Sequence, residues 1–273
     1  MTAHLLRMVG AEIRKVFSRG TAVLALVVSL TIPMLVVGVM WQLRDGGPSV
    51  NGQSVSTFIT YSAVEVASWS LNVRNFLVLP LFLGLATAMS VAGELNDRTL
   101  REVLVRPVSR ESVLVVRIAA LSALSACSLV VTSVVAIGLG LVIWGAPTPP
   151  LVPADYPGLP AVLGGYAVSF LCDVAVILLV TLVALLIRSI GLTLVALVLG
   201  WGVDFLFRKL LGLMVTVGVG SASAVLPWTF GNALNCWEGW RDGFEWQRFV
   251  ALAAVTAVSA ALSVARFRRI DVP

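Results

Sequence analysis

Six long apolar runs constrain this chain more than any other feature of its sequence. Hydrophobic residues make up 59% of its 273 positions, and the mean hydropathy of +0.98 exceeds what a soluble domain of this size requires. Each run is long enough to cross about 30 Å of hydrocarbon as a helix. The runs are Gly20–Trp41, Phe76–Ala92, Ile118–Trp144, Leu163–Ile187, Ser189–Phe207 and Phe249–Ala265. We therefore predict an all-α membrane protein with six transmembrane helices, built as one domain over residues 1–273.

The placement of basic residues predicts the orientation of these spans. Most of the 19 lysine and arginine residues lie before the first span, between the second and third, between the fourth and fifth, and after the sixth. Basic loops stay on the cytoplasmic side of a membrane. Tryptophans fall mainly at the opposite ends of the spans, where an interfacial belt is favoured. We expect a multi-pass protein of the cell inner (plasma) membrane with both termini in the cytoplasm.

Two segments outside the spans have apolar character of their own. Residues 1–19 place an apolar stripe opposite cations, which favours an amphipathic helix in the headgroup region, although a plain positively charged flank is the alternative. Residues 208–246 include a stretch apolar enough to compete as a seventh span, but Gly212, Gly218, Gly220 and Pro227 interrupt it. We interpret 208–246 as a re-entrant helical segment on the outer side, between spans five and six.

Residues 93–110 form a densely charged island between two apolar runs. Two pairs of oppositely charged residues are each four positions apart: Asp97 with Arg101, and Arg98 with Glu102. This spacing places each pair on one side of a helix and so supports a short helix. Pro107 prevents the helix from continuing, and Ser109 can cap the start of the next one. The pattern predicts a short, stiff cytoplasmic helix, with a generic structured loop as the alternative.

The island contains, in order, Gly93-Glu94, Arg98-Thr99-Leu100 and Arg106-Pro107-Val108-Ser109-Arg110. This order resembles the signature of ABC-2-type transporter permeases. The resemblance extends to the six spans, the amphipathic N-terminal helix and an outer segment that contains Leu226-Pro227-Trp228, while Arg98 stands where many members have glycine.

This resemblance implies a coupling helix that binds an ATP-hydrolysing subunit. Its expected contact positions are Glu94, Arg98, Thr99, Leu100, Arg101 and Glu102. It also implies an ABC ATPase subunit as partner, a second permease copy (a homodimer, or a heterodimer) and surrounding membrane lipid, with no nucleic acid. The implied function is the permease subunit of an ATP-driven exporter. The alternative is a non-transporting ABC complex that relays ATPase strokes to an extracytoplasmic protein.

The sequence also predicts that this chain is not itself an enzyme. Its only lysines, Lys15 and Lys209, each follow an arginine, so the Gly-Lys-Ser/Thr phosphate loop does not occur. We therefore expect no cofactor of its own, with ATP bound by the partner subunit. An intramembrane enzyme is disfavoured because the chain has one histidine, near its start, and no metal-ligand spacing.

Two carboxylates lie within the predicted spans, where an unpaired charge is costly. Asp204 has Arg208 one turn later, which predicts a salt bridge. Asp173 has no partner nearby in the sequence. We consider two roles for Asp173: a residue of the translocation path, or a hydrogen-bonded packing residue.

Small residues recur every fourth position in two spans, and the outer segments are polar. The stripes are Ser128, Thr132, Ala136 and Gly140 in span three, and Ala253, Ala257, Ala261 and Ala265 in span six. They predict either close packing inside the chain or a subunit interface. Residues 44–72 are expected to form a surface loop with a solvated Glu65. The three cysteines are widely spaced and indicate neither a disulfide framework nor a metal site.

Overall fold

The computed structural model describes residues 2–46, 49–50, 53–54, 62–96, 109–145, 158–218, 220–236 and 245–269, and these are overwhelmingly helical. Within these ranges, strand is confined to Ser49–Val50 (β1) and Gln53–Ser54 (β2), which pair antiparallel. Two π-helical turns, Val78–Leu83 and Met89–Gly93, and a 3₁₀ turn, Leu226–Trp228, link successive helices. The helices are α1 (Thr2–Phe17), α2 (Gly20–Gly46), α3 (Ala63–Leu77), α4 (Gly84–Ala88), α5 (Glu94–Asn96), α6 (Arg110–Trp144), α7 (Leu159–Ile187), α8 (Ile190–Thr216), α9 (Gly220–Val225), α10 (Phe230–Leu234) and α11 (Trp246–Arg268).

Five of these helices, α2, α6, α7, α8 and α11, are long and apolar enough to cross a membrane. A sixth candidate is the pair Ala63–Phe76 and Leu81–Gly93, whose two halves are bent by 43°. Pro80 lies in the π-helical turn at this bend, and proline has no N–H to continue the helical ladder. The all-α class is thus confirmed, with five candidate spans, or six when the bent pair is counted as one span. We number these candidates one to six in chain order.

The prediction of a surface loop over residues 44–72 is wrong for residues 63–72, which form the start of span two. Residues 63–72 belong to α3, and Ser62 caps that helix by accepting a hydrogen bond from the Glu65 backbone N–H at 3.3 Å. Glu65 is buried rather than solvated and accepts a hydrogen bond from Trp69 Nε1 at 2.7 Å. The interspersed polar residues concealed this helix, and some of them, such as Glu65 and Arg74, have partners inside the protein.

Contacts between helix ends show that the first three spans alternate in direction. At one end, the rings of Trp41 and Trp144 lie 5.5 Å apart, at the ends of spans one and three. At the other end, Glu94 of span two contacts Arg19 and Arg117, at the starts of spans one and three. We call these the aromatic end and the charged end.

Both helices nearest the chain termini reach the charged end. Lys15 of α1 contacts Glu94, and Arg268 at the end of α11 contacts Glu111 of α6. A buried apolar cluster closes this end of the bundle, and it includes Val91, Leu114, Leu185 and Phe267. Because the first and last described helices both reach the same end, the arrangement fits an even number of membrane crossings.

The small residues of span three pack inside this chain. Ser128 and Ser29 of span one share a hydrogen bond of 2.8 Å, and Thr132 donates to the Ser29 carbonyl at 3.3 Å. Ala136 is fully buried. Of the two alternatives for this stripe, the structure supports close packing within one subunit. The four alanines of span six are exposed in the single chain, and a subunit interface there stays a prediction.

Gly140 gives a direct test of this packing. A Cβ atom at Gly140 would lie 2.5 Å from Ala63 Cα, so Gly140→Ala must push spans two and three apart. We expect a loss of about 1–3 kcal/mol in the free energy of unfolding, measured by denaturation in detergent. Gly138→Ala is the matched control because a Cβ there meets nothing within 4 Å. Equal stability of the two variants would contradict the packing.

Span five is longer than predicted, and the outer segment starts later. The α8 helix continues past Phe207 to Thr216, and Gly212 lies within it without interrupting it, since one helical glycine costs only about 1 kcal/mol. The chain turns at Gly218, whose φ of 90° suits glycine. It then folds back until the Gly231 N–H reaches Asp204 Oδ1 at 3.0 Å. That residues 208–246 re-enter a membrane stays a prediction, and residues 237–244 lie outside the described ranges.

Candidate functional site

The charged island is described only at its two edges. The predicted contacts Arg98, Thr99, Leu100, Arg101 and Glu102 lie outside the described residues, as does the predicted short helix. Glu94 precedes them, and Ser109 follows them. The predicted cap at Ser109 is confirmed, because its side chain accepts a hydrogen bond from the Ser112 N–H at 3.2 Å.

Glu94 is the centre of a cluster that we call the Glu94 clamp, formed with Lys15, Arg19 and Arg117. Its carboxylate accepts hydrogen bonds from Lys15 Nζ at 2.5 Å, from Arg19 Nη2 at 3.1 Å and from Arg117 Nη2. The Glu94 side chain is only 6% exposed and that of Arg117 only 3%. One carboxylate thus fastens α1 and the start of span one to the end of span two and the start of span three.

The local sequence brings these groups together. Gly93 ends the second π-helical turn, and a Cβ there would lie 3.3 Å from Ile190 Cδ1 at the start of span five, so glycine allows this close approach. Arg19 lies at the junction of α1 and α2, where its side chain can reach back toward Glu94. Glu12 lies 3.7 Å from Lys15, so that in the described part of the chain three cations face two carboxylates.

In this structure the Glu94 side chain therefore faces cations of its own chain. Its predicted role as a direct contact of an ATPase subunit stays a prediction. The arrangement indicates a second role, because any displacement of the first residues of the island would act on α1 and span three through these ion pairs. Sequence reasoning missed Lys15, Arg19 and Arg117 as partners, since they are 79, 75 and 23 positions from Glu94.

A second cluster, the core polar network, surrounds Asp173 in the middle of the bundle. Arg74 donates to both carboxylate oxygens of Asp173, through Nη1 at 3.0 Å and Nη2 at 2.6 Å. Ser125 also donates to Asp173 Oδ2. The Arg74 and Asp173 side chains are 1% and 0% exposed, so this is a fully desolvated, bidentate ion pair.

Further polar groups complete the network. Arg74 Nε donates to Ser128 Oγ at 3.3 Å, and Arg74 Nη1 donates to Asn75 Oδ1 at 3.0 Å. Ser169 also donates to Asn75 Oδ1 at 2.9 Å. The network joins spans two, three and four. A place for Asp173 in a translocation path stays a prediction, and in the single chain Asp173 is enclosed by these spans.

Asp204 connects span five to the segment that folds back on it. The predicted salt bridge is confirmed: Arg208 Nε donates to Asp204 Oδ2 at 2.8 Å. An apolar cavity of about 460 Å³ lies beside this pair, between spans four and five, with Leu197, Trp201 and Phe230 among its lining residues. Within the described ranges, no three His, Cys, Asp or Glu side chains are grouped as metal ligands.

Two cysteines that are distant in the sequence meet where the folded-back segment packs against span four. Cys172 of α7 and Cys236, which follows α10, place their Sγ atoms 3.4 Å apart, and both are buried. The hydrogen bond with the Cys172 thiol lowers the pKa of Cys236 below its usual value. The contact fastens the folded-back segment to span four.

Oxidative cross-linking checks the position of this segment. A disulfide needs the sulfur atoms about 2.05 Å apart, which a small shift from 3.4 Å provides. We expect copper–phenanthroline, acting as the oxidant, to link Cys172 to Cys236, with both thiols lost to maleimide labelling after unfolding. Cys127→Ser should leave the cross-link unchanged, because Cys127 is exposed on span three. Persistent labelling of both buried thiols would show that the segment lies elsewhere.

Comparison with known proteins assigns a family to this architecture. Residues 8–200 match the family described as ABC-2 family transporter protein. The match includes most of α1, spans one to four, the charged island and Asp173. No curated protein matches the chain. The match covers well over half of the sequence and confirms the resemblance seen in the island: the chain belongs to the ABC-2 family of transporter proteins, membrane components of ABC transporters.

Proposed function

We propose that this chain is the permease subunit of an ATP-driven exporter, in which a separate ABC ATPase subunit binds and hydrolyses ATP. The observation that carries the proposal is the Glu94 clamp. It ties the first residues of the charged island to α1 and to spans one and three through ion pairs of a carboxylate that is 6% exposed. A force applied to the island would therefore move several helices together.

The proposed orientation places the charged end in the cytoplasm of a cell whose inner (plasma) membrane holds the chain. This end carries the clamp, the two described edges of the island, and both helices nearest the termini. Basic residues favour the cytoplasmic side, and the aromatic end would then face outward. The ATPase subunit would bind island residues 93–110, with Arg98, Thr99 and Leu100 among the contacts.

A second permease copy is part of the proposal. Only 6% of the most apolar 18-residue stretch of span five is buried within this chain. Its exposed side chains include Leu199, Val203 and Leu206, which are available to lipid or to another subunit. Two copies, identical or not, would pair with two ATPase subunits, and closure of the ATPase pair would displace both islands.

Reconstitution with an ABC ATPase subunit that co-purifies with this chain from native membranes tests the proposal. We expect the two polypeptides to form a complex in proteoliposomes whose ATPase rate rises when the exported small molecule is supplied. Stimulation only by an extracytoplasmic protein would favour the relay function instead. A chain that purifies without any ATPase subunit would contradict both.

A further inference from the structure

A cavity of about 670 Å³ opens at the aromatic end, between the end of span five, the folded-back segment and the start of span six. One part of its wall is cationic and another part is apolar. The cations are Arg208, Lys209 and Arg248, and the apolar side chains include Phe205, Leu213 and Leu226. The neighbouring cavity at Trp201 has no cation in its lining, which is apolar apart from Thr193 and Asp204.

Two carboxylates offset part of this positive charge. Asp204 accepts from Arg208 Nε at 2.8 Å, which leaves the two terminal guanidinium nitrogens of Arg208 outside that bond. Glu245 accepts from Arg248 at 2.7 and 3.1 Å. Among the described residues, these three cations and two carboxylates leave one positive charge in excess.

Lys209 supplies that excess charge. Its ammonium group lies 5.6 Å from the centre of the Phe205 ring, and it makes no ion pair with any residue in the described ranges. The side chain is exposed, so the charge is presented at the mouth of the cavity. A phosphate or carboxylate can approach it without breaking an ion pair among the described residues.

We propose that this cavity binds an anionic amphipathic molecule, with its phosphate or carboxylate headgroup on Lys209 and Arg208 and its hydrocarbon part against Phe205 and Leu213. Guanidinium and ammonium groups are the usual protein partners of such headgroups. A small hydrated anion would leave the apolar wall unused, and a cation would be repelled. The inference deepens the proposed function, on which it rests, because it names the class of molecule at the outer mouth of the exporter.

Binding of dodecyl phosphate to the complex of this chain and its ATPase subunit, held in nanodiscs, tests the inference. Dodecylphosphocholine, which has the same chain and a neutralised headgroup, and inorganic phosphate, which has no chain, are the comparison ligands. We expect Lys209→Gln to weaken binding of dodecyl phosphate about tenfold, the size of one lost charge-assisted contact. Lys209→Arg should restore it. Arg269→Gln is the matched control, an exposed cation at the charged end, and should change nothing.

Three results would overturn the inference: equal binding of dodecylphosphocholine, equal binding of inorganic phosphate, or unchanged binding in Lys209→Gln. Displacement of dodecyl phosphate by phosphatidylglycerol in the nanodisc would support the site and identify the bilayer as the source of its ligand. The ATPase rate of the same sample is measured separately. Binding without any ATPase activity would contradict the proposed function alone, whereas ATPase activity without binding would contradict this inference alone.

Discussion

Arg74→Leu is expected to destabilise the protein by about 3–5 kcal/mol, the cost of leaving a buried charge without its partner. Asp173 is 0% exposed and receives two hydrogen bonds from Arg74. Without that guanidinium, the buried Asp173 carboxylate loses the partner of its charge. The free energy of unfolding in detergent measures the loss.

The double variant Arg74→Gln with Asp173→Asn is the control for this prediction. It removes both charges and keeps groups that can donate to and accept from Ser125 and Asn75. Replacing a buried ion pair by neutral groups is often close to neutral in stability, so we expect the double variant to recover most of the loss. If Arg74→Leu unfolds like the wild type, or if the double variant is no more stable than Arg74→Leu, the ion pair is not present as described.

Glu94→Gln is expected to release α1 from the bundle and to uncouple the ATPase subunit. The substitution keeps the shape of the side chain but leaves Arg117, which is 3% exposed, without its carboxylate. Loss of a partner from a buried pair costs about 3–5 kcal/mol, while the contribution of Lys15, 42% exposed, is screened and small. We expect faster tryptic cleavage at Arg14 and Lys15, and substrate stimulation of the ATPase reduced about tenfold or more, since about 1.4 kcal/mol corresponds to a factor of ten.

Glu111→Gln provides a matched control at the same end of the bundle. Glu111 pairs with Arg268 at 2.5 Å, but the two side chains are 50% and 62% exposed. Such surface pairs contribute about 0–1 kcal/mol, so cleavage of α1 and ATPase stimulation should remain near the wild-type values. Equal effects of Glu94→Gln and Glu111→Gln would show that burial of the clamp has no functional consequence.

The features that sequence reasoning predicted well are local ones. Apolar runs identified the spans because composition over some twenty residues decides whether a helix can lie in lipid. The pair of Asp204 and Arg208 was predictable because residues four apart lie on the same side of a helix. The N-cap at Ser109 was predictable for a similar reason, since its hydrogen bond joins residues three apart.

The features that sequence reasoning missed depend on the packing of distant segments. Arg74 and Asp173 are 99 positions apart, and nothing local to either residue indicates the other. Arg74 also follows polar residues that broke the apolar pattern, so the buried start of α3 was predicted as a loop. A lone carboxylate in one span and an arginine at the edge of another is the signal that could have suggested the pair.

The most direct test of the central claim, that the charged island binds an ATP-hydrolysing subunit, is site-specific photocross-linking in native membranes. A photoreactive amino acid at Thr99 is predicted to form an adduct with a protein that contains a phosphate-binding loop. The same group at Thr216, near the aromatic end, is predicted to form none. Adducts with the ATPase only at Thr216, or labelling of position 99 by a reagent confined to the cell exterior, would contradict the account.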